Sequence, residues 1–476
     1  MLHGFVYFNY QTNTSMKHYD AIVIGSGQGG TPLAKKLANK GLNTAIVERR
    51  YIGGTCINDG CTPTKTMVTS ARMMHLAKHS NEVGINIKDV TLDFTAVINR
   101  KNKIVEEFRN SGLNGLLKTD NLDVIFGEAS FTNNKELKIK LHDGKEQQLS
   151  ADKIFINAGA RPLIPNIEGL NKVNYLNSTT IMELKELPEH IIIIGGSYVA
   201  LEFGQMFRRF GSKITVLEHS PRFLSREDED IADVIKKFLE DEGIEIYTNC
   251  NTKKVLSNNE KIIVVASIND EEKEFAASHI LIATGRAPNT NALQLSNTDI
   301  KTEERGHIIV NEKLETNVEG VYALGDVKGG PEFTHISYND YLIIYHNLFD
   351  NANESTKNRL VPYTMFTDPQ LGRIGLNEDE AKKKNINYKV VKLPMSYVAR
   401  AIETNETTGL MKAIVDADTK QILGAAVVGE QGGEMMSMLE IAMMGNLTHD
   451  ALRNAVFAHP LYAEALNNLF IQLDEK

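Results

Sequence analysis

Two stretches of the chain, 170 positions apart, follow one template, and that repetition limits the possible fold more than any other feature. "YDAIVIGSGQGGTPLAKKLANKGLNTAIVERR" begins with an apolar run at residues 21–24, the pattern of a parallel strand covered on both faces. The chain turns through Gly25-x-Gly27-x-x-Gly30 into a helical stretch and returns as a second strand over residues 44–47, ending at Glu48. "HIIIIGGSYVALEFGQMFRRFGSKITVLEHS" repeats this order with a strand at 191–194, the turn Gly195-x-Ser197-x-x-Ala200 and the acid Glu218. In both copies the acid stands 23 positions after the first glycine. Gly25 permits a tight turn, Gly27 lets the backbone approach a pyrophosphate, and Gly30 lets the helix pack on the strand. The helix start offers N–H groups and a positive dipole end to phosphates. The acid accepts hydrogen bonds from ribose hydroxyls. Ser197 and Ala200 depart from the glycine pattern but remain small. The spacing predicts two bound dinucleotides, one retained and one exchanging.

A chain of 476 residues exceeds one ordinary core, so two or three domains are expected. "FINAGARP" (155–162) and "LIATGRAP" (281–288) each end an apolar strand in a small-residue turn, before and after the second unit, and read as crossing points between domains. In "GVYALGDV" (320–327), Asp326 stands at a strand's carboxyl end, where an α/β sheet meets its ligand, although a simple Asx turn explains it equally well. A net charge of −9 argues against nucleic acid as a partner. No run is apolar for the roughly 18 residues a membrane span needs. The opening "MLHGFVYFNYQTNTS" lacks a basic region and a cleavage site, and the periodic pattern begins only after Met16, which suggests an upstream extension or an early start codon. A cytoplasmic, multi-domain enzyme is expected.

Two of the three cysteines, Cys56 and Cys61, lie in "GGTCINDGCTPTK" (53–65). Their spacing admits a metal site, a staple or a redox pair. Zinc sites usually take four N or S ligands, and no second pair at ligand spacing appears. Cys250, in "YTNCNTKKV", reads as a small core or surface residue. Structural disulfides are rare in the cytoplasm. A redox pair therefore suits a chain expected to hold two dinucleotides, and a helix start near it would favour the thiolate.

This segment resembles the redox signature of the class I FAD-dependent pyridine nucleotide–disulfide oxidoreductases, which include dihydrolipoamide dehydrogenase, glutathione reductase and mercuric reductase. The likeness extends over both nucleotide units, "GVYALGDV", "FTDPQLGRIGL" (366–376) and "AHPLYAE" (458–464). It implies an α/β fold with two Rossmann-like dinucleotide-binding domains and a C-terminal α+β dimerisation domain. The FAD-binding domain would comprise 17–151 and 288–348, the NAD(P)-binding domain 152–287, and the interface domain 350–476. By resemblance FAD falls to Gly25, Gly27, Gly30, Glu48, Gly54, Thr55 and Asp326. NADH or NADPH falls to Gly195, Ala200, Glu218 and Gly285, with Tyr198 as the aromatic gate over the flavin. Cys61 would be the flavin-proximal thiol, Cys56 the interchange thiol, and Lys65–Glu202 an ion pair near flavin N5. His459 and Glu464 match the His-Pro-x-x-x-Glu ending, whose histidine reaches the partner's disulfide in a homodimer. A lone C-terminal histidine is usually a surface residue; the Pro and the Glu in family order reverse that.

The substrate is less legible. Mercuric reductase carries a C-terminal cysteine pair and a metal-trapping domain, and this chain ends "NNLFIQLDEK" without such thiols. The missing pair also disfavours high-molecular-weight thioredoxin reductase. "SREDEDIADVI" (225–235) and "GGPEFTHISYNDY" (329–341) resemble a mercuric-reductase-like branch that includes hypochlorous-acid-induced flavoproteins and hypothiocyanous acid reductases. The expectation is an NAD(P)H-dependent flavin disulfide reductase clearing a small oxidant or disulfide. Dihydrolipoamide dehydrogenase is the alternative, with mercuric or copper ion reduction a third, and no resident metal. A redox sensor is disfavoured, because sensing needs no complete relay. The Met-rich "GEMMSMLEIAMMGN" (433–446) has the spacing of a core or dimer helix rather than a soft-metal site. Glu218 favours NADH by repelling a 2′-phosphate, a preference that Arg222 and Arg226 would blunt. Asp59, Thr62 and Thr64 depart from the family pattern; Asp59 would raise the thiolate pKa if it faced the pair, and the favoured expectation is that it faces solvent or caps a turn.

Overall fold

Strands need unbroken apolar runs when helices cover both faces of their sheet, and the chain carries two sets of such strands. The computed structural model describes residues 16–258 and 261–474. The opening segment read above as an extension lies outside these residues. The chain forms two compact units. One holds the residues up to Cys56, Phe108–Arg161 and Ala287–Lys357; the other holds Ile57–Glu107, Pro162–Arg286 and the chain from Asn358 onward.

The first unit contains β1 (Lys17–Ile24), α1 (Gly30–Asn39), β2 (Thr44–Glu48), β3 (Leu122–Asn133), β4 (Glu136–Leu141) and β5 (Glu146–Ile156). β1 lies between β2 and β5, all parallel. β3 extends the parallel sheet beyond β2, and the strand Val321–Ala323 extends it beyond β5. The remaining lengths of β3 and β5 are joined by β4 as an antiparallel meander. α1 buries Leu33, Ala34, Leu37 and Ala38 on one face, and Pro32 falls in its first turn, where no intrahelical N–H is lost. Full burial of Leu33 and Leu37 contributes roughly 2 kcal/mol each.

The second unit repeats the parallel core. The strand His190–Ile194 runs between Lys213–Leu217 and His279–Ile282, with Glu245–Tyr247 outermost. The chain passes from one unit to the other within α2 (Gly54–Asn58), and it passes back within α4 (Phe94–Leu117), after α3 (Cys61–Lys78). α5 (Tyr198–Phe210) follows the central strand and is buried on nearly every side, because α3 packs against it. Met67 and Ala71 of α3 share a core with Phe203, Met206, Phe207 and Phe210 of α5. A five-stranded antiparallel sheet, from Tyr363–Met365 to Ile422–Gly429, forms the C-terminal α+β part. The helix Gly432–Met444 buries Met435, Met436, Leu439 and Ala442 and exposes Met438, Ile441 and Met444. The Met-rich segment thus has both a core face and a bare apolar face.

Candidate active site

The two glycine turns have the same internal bonds. Gly25 donates to the Val47 carbonyl at 2.8 Å, and Gly195 to the Leu217 carbonyl at 2.9 Å. The N–H of Ser26 reaches Glu48 Oε2 at 3.0 Å, and that of Gly196 reaches Glu218 Oε2 at 2.5 Å. Arg50 N–H and Ser220 N–H hold the other oxygens, Oε1 of Glu48 and of Glu218, at 2.8 and 2.7 Å. Gly25 and Gly195 have φ of +99° and +104°, and an added Cβ would meet a carbonyl oxygen at 2.3 and 2.4 Å respectively. Only glycine fits there. Ala200 is fully buried in the core of the second unit.

The turns differ in closure. In the first, Ser26 Oγ adds a 2.6 Å bond to Glu48, and the Asn157 side chain takes the Gly30 N–H at 2.9 Å. In the second, Gly196 has no side chain, and Ser197 makes no capping bond to α5. Gly54 lies so close that its Cβ would stand 2.6 Å from the Gly27 Cα, and Gln28 Nε2 donates to the Gly53 carbonyl at 3.3 Å. The first turn is thereby joined to the segment that carries Thr55 and Cys56. Asp326 sits half-buried in the turn Gly325–Lys328, and the Gly325 N–H is held by the buried Asp340 at 2.9 Å. Gly285 follows the strand His279–Ile282 and would place a side chain in open space.

Cys61 opens α3 and is exposed, while Cys56 lies half-buried in α2. An 18-residue helix directs its positive end at Cys61, which favours the thiolate. Lys65 is one turn further on. Its Nζ lies 2.7 Å from Glu202 Oε2 and 4.6 Å from the centre of the Phe366 ring. Glu202 is buried, and its second oxygen takes the Phe366 N–H at 2.8 Å. Both oxygens of this buried side chain thus have partners; removing the lysine would cost about 3 kcal/mol. Thr64 is buried and contacts Met182 Sδ at 3.6 Å, Thr62 is half-buried, and Asp59 lies in the turn between α2 and α3. Tyr198 begins α5. Cys250 is a core residue: burial, helped by the Glu218 charge, pushes its thiol up to about 11.

His459 and Glu464 meet in the C-terminal segment, with Nδ1 2.9 Å from Oε2. A carboxylate at this place favours the neutral tautomer with its proton on Nδ1, which would leave the Nε2 lone pair able to act as a base. The His459 side chain is 65% exposed, so this base points outward.

Residues 19–340 match the family described as pyridine nucleotide-disulphide oxidoreductase, and residues 361–470 match its dimerisation domain. The chain belongs to this family. It is 38% identical over 459 residues to the probable pyridine nucleotide-disulfide oxidoreductase RclA of Escherichia coli, covering 96% of this chain and 99% of that protein. It is 33% identical to a mercuric reductase of Lysinibacillus sphaericus, covering 96% of this chain and 83% of the relative. The solved Cu(II) complex of the HOCl-induced flavoprotein disulfide reductase RclA from E. coli superposes with a TM-score of 0.89 at 38% identity, covering 96% of this chain and all of that one. The oxidoreductase is thus an NAD(P)H-dependent flavoprotein disulfide reductase. Family membership implies FAD and a pyridine nucleotide, and the dimerisation domain supports a homodimer. The first turn fits a dinucleotide by its bare backbone at the start of α1: Gly25 and Gly54 pack so closely on the Asn157 carbonyl and the Gly27 Cα that neither position admits a side chain. Among the described residues, no helix is long and apolar enough to cross a membrane.

Sequence reasoning passed over Asn157, although it lies inside "FINAGARP". Besides Gly30, its side chain bonds the Leu324 carbonyl at 2.9 Å and Ser337 Oγ at 3.2 Å. The signal available was a polar residue at the end of an otherwise apolar strand. Arg72, taken up below, had no such signal.

Proposed function

We propose that this oxidoreductase uses NADH to reduce a Cys56–Cys61 disulfide through FAD, and that the resulting dithiol clears a small oxidant or low-molecular-weight disulfide, with hypothiocyanous acid the leading substrate. The observation that carries the reading is the His459–Glu464 pair, a base fixed in the tautomer needed to take a thiol proton. The HOCl-induced relative supports the oxidant class. Bound flavin supplies the exchange of two electrons between nicotinamide and disulfide.

The side chains divide the remaining work. The first turn, with Glu48, Gly54, Thr55 and Asp326, holds FAD; the second, with Glu218, Tyr198 and Gly285, holds the nicotinamide dinucleotide. Lys65, fixed by Glu202, presents a cation to the flavin. The Cys61 thiolate is favoured by the α3 dipole. The Cys56 thiolate attacks the sulfur of hypothiocyanous acid, and protonated His459 of the partner subunit returns a proton to the departing hydroxide. The Cys61 thiolate then displaces thiocyanate and restores the disulfide. Overall, two thiols and one HOSCN give one disulfide, thiocyanate, water and one proton.

NADH is preferred because Glu218, the acid that ends the second unit's second strand, would repel a 2′-phosphate. Arg222 is occupied by the Ser225 and Glu227 carbonyls, at 2.9 and 2.5 Å, and is not available to a 2′-phosphate. The three-part domain organisation and a cytoplasmic setting belong to the same proposal. Purified enzyme assayed against hypothiocyanite, glutathione disulfide, dihydrolipoamide, Hg(II) and Cu(II) tests it. The expected result is highest kcat/KM for hypothiocyanite with NADH, abolished in Cys56→Ser with flavin retained. Preference for dihydrolipoamide or a metal ion would overturn the substrate, and strong NADPH preference the cofactor.

A further inference from the structure

Arg72 projects from α3 eleven residues after Cys61, which is three turns down the same helical face and about 16 Å along the axis. Its guanidinium meets three carboxylates. It bonds Asp368, and it reaches Glu406 Oε1 at 2.8 Å and Glu430 Oε1 at 3.0 Å. Burial opposes its charge, yet the three acids together hold it above the ordinary arginine range. The other oxygen of Glu430 accepts from the Tyr462 hydroxyl at 2.8 Å. Tyr462 lies between His459 and Glu464, in the short turn Tyr462–Glu464, and its hydroxyl also meets Thr404 Oγ1 at 2.9 Å. Burial pushes the tyrosine up to about 12, so it remains a donor to Glu430 through the neutral range.

We propose that Arg72 is a positioning residue: through Glu430 and Tyr462 it ties the loop bearing His459 and Glu464 to α3 of its own subunit, the frame from which the dyad reaches the partner subunit's thiols. Every member of this path has a charged or hydroxyl partner on both sides, and charge-assisted bonds of this kind are the strong ones. Because a histidine misplaced by about 1 Å forfeits on the order of a hundredfold in rate, the tie sets how well the dyad meets a thiol. The inference rests on the proton-transfer role given above to His459.

The test separates the two half-reactions. Tyr462→Phe removes one hydroxyl and little volume; Arg72→Lys keeps the charge but loses the fork that spans two acids. Arg72→Ala would leave three facing carboxylates and is not used, since it threatens folding. In stopped flow, flavin reduction by NADH should stay within about twofold of wild type in both variants, because it does not involve the dyad. Disulfide turnover should fall roughly tenfold, and the limb of the kcat–pH profile that His459→Ala removes should be displaced. Unchanged turnover and an unchanged profile in both variants, with His459→Ala inactive, would overturn the positioning role, as would equal losses in both half-reactions. Full turnover in His459→Ala would instead overturn the role of the dyad, and with it the need for the tie.

Discussion

Asn157 joins three parts of the first unit with a single amide, accepting from Gly30 and donating to Leu324 and Ser337. Asn157→Ala should leave these buried groups short of partners, lower stability by about 1–3 kcal/mol and reduce flavin content, measured by thermal unfolding and by the ratio of flavin to protein absorbance. Cys250 gives a second expectation at this scale. With its thiol raised to about 11, roughly one molecule in a thousand is ionised there at pH 8. Reduced native enzyme should therefore titrate two thiols per chain with Ellman's reagent, and the third only after unfolding. At the scale of single residues the sequence is partly legible. Cys56, Cys61, Lys65 and His459 stand in short ordered motifs, where type and spacing carry chemistry. Arg72 does not: its partners lie 296, 334 and 358 positions away, and no local pattern encodes a contact that folding alone creates.

The two glycine turns make the clearest comparison between elements. Gly25→Ala and Gly195→Ala would each force a Cβ against a carbonyl oxygen at a φ that disfavours side chains, at a cost of order 1–3 kcal/mol before any clash is relieved. Gly25→Ala should lose flavin, whereas Gly195→Ala should stay yellow and fail to be reduced by NADH; spectra before and after NADH addition separate them. Apolar runs announced the strands of both sheets, because a buried parallel strand leaves no alternation to misread. The antiparallel return of β4 had no such announcement: its alternating residues belong to β3 and β5 beyond the parallel sheet, where pairing depends on where those strands end. The helix Gly432–Met444 was legible as helix, but only packing shows which of its methionines face the core.

For the whole molecule, the bare face of that helix matters most. Ile441 and Met444 are each 69% exposed, and they lie within the segment that matches the dimerisation domain. Ile441→Glu should weaken the homodimer, seen as slower sedimentation at low concentration. Disulfide turnover should fall with dilution while flavin reduction by NADH persists. The outward-pointing His459 has a genetic consequence. If each dyad serves the partner's thiols, a His459→Ala chain and a Cys56→Ser chain are dead as pure dimers by different lesions. In a mixed dimer both lesions fall on one centre and spare the other. Co-expression of the two null alleles in equal amounts would make half of the dimers mixed, and so restore about a quarter of wild-type turnover. Two loss-of-function alleles of one enzyme would then complement each other.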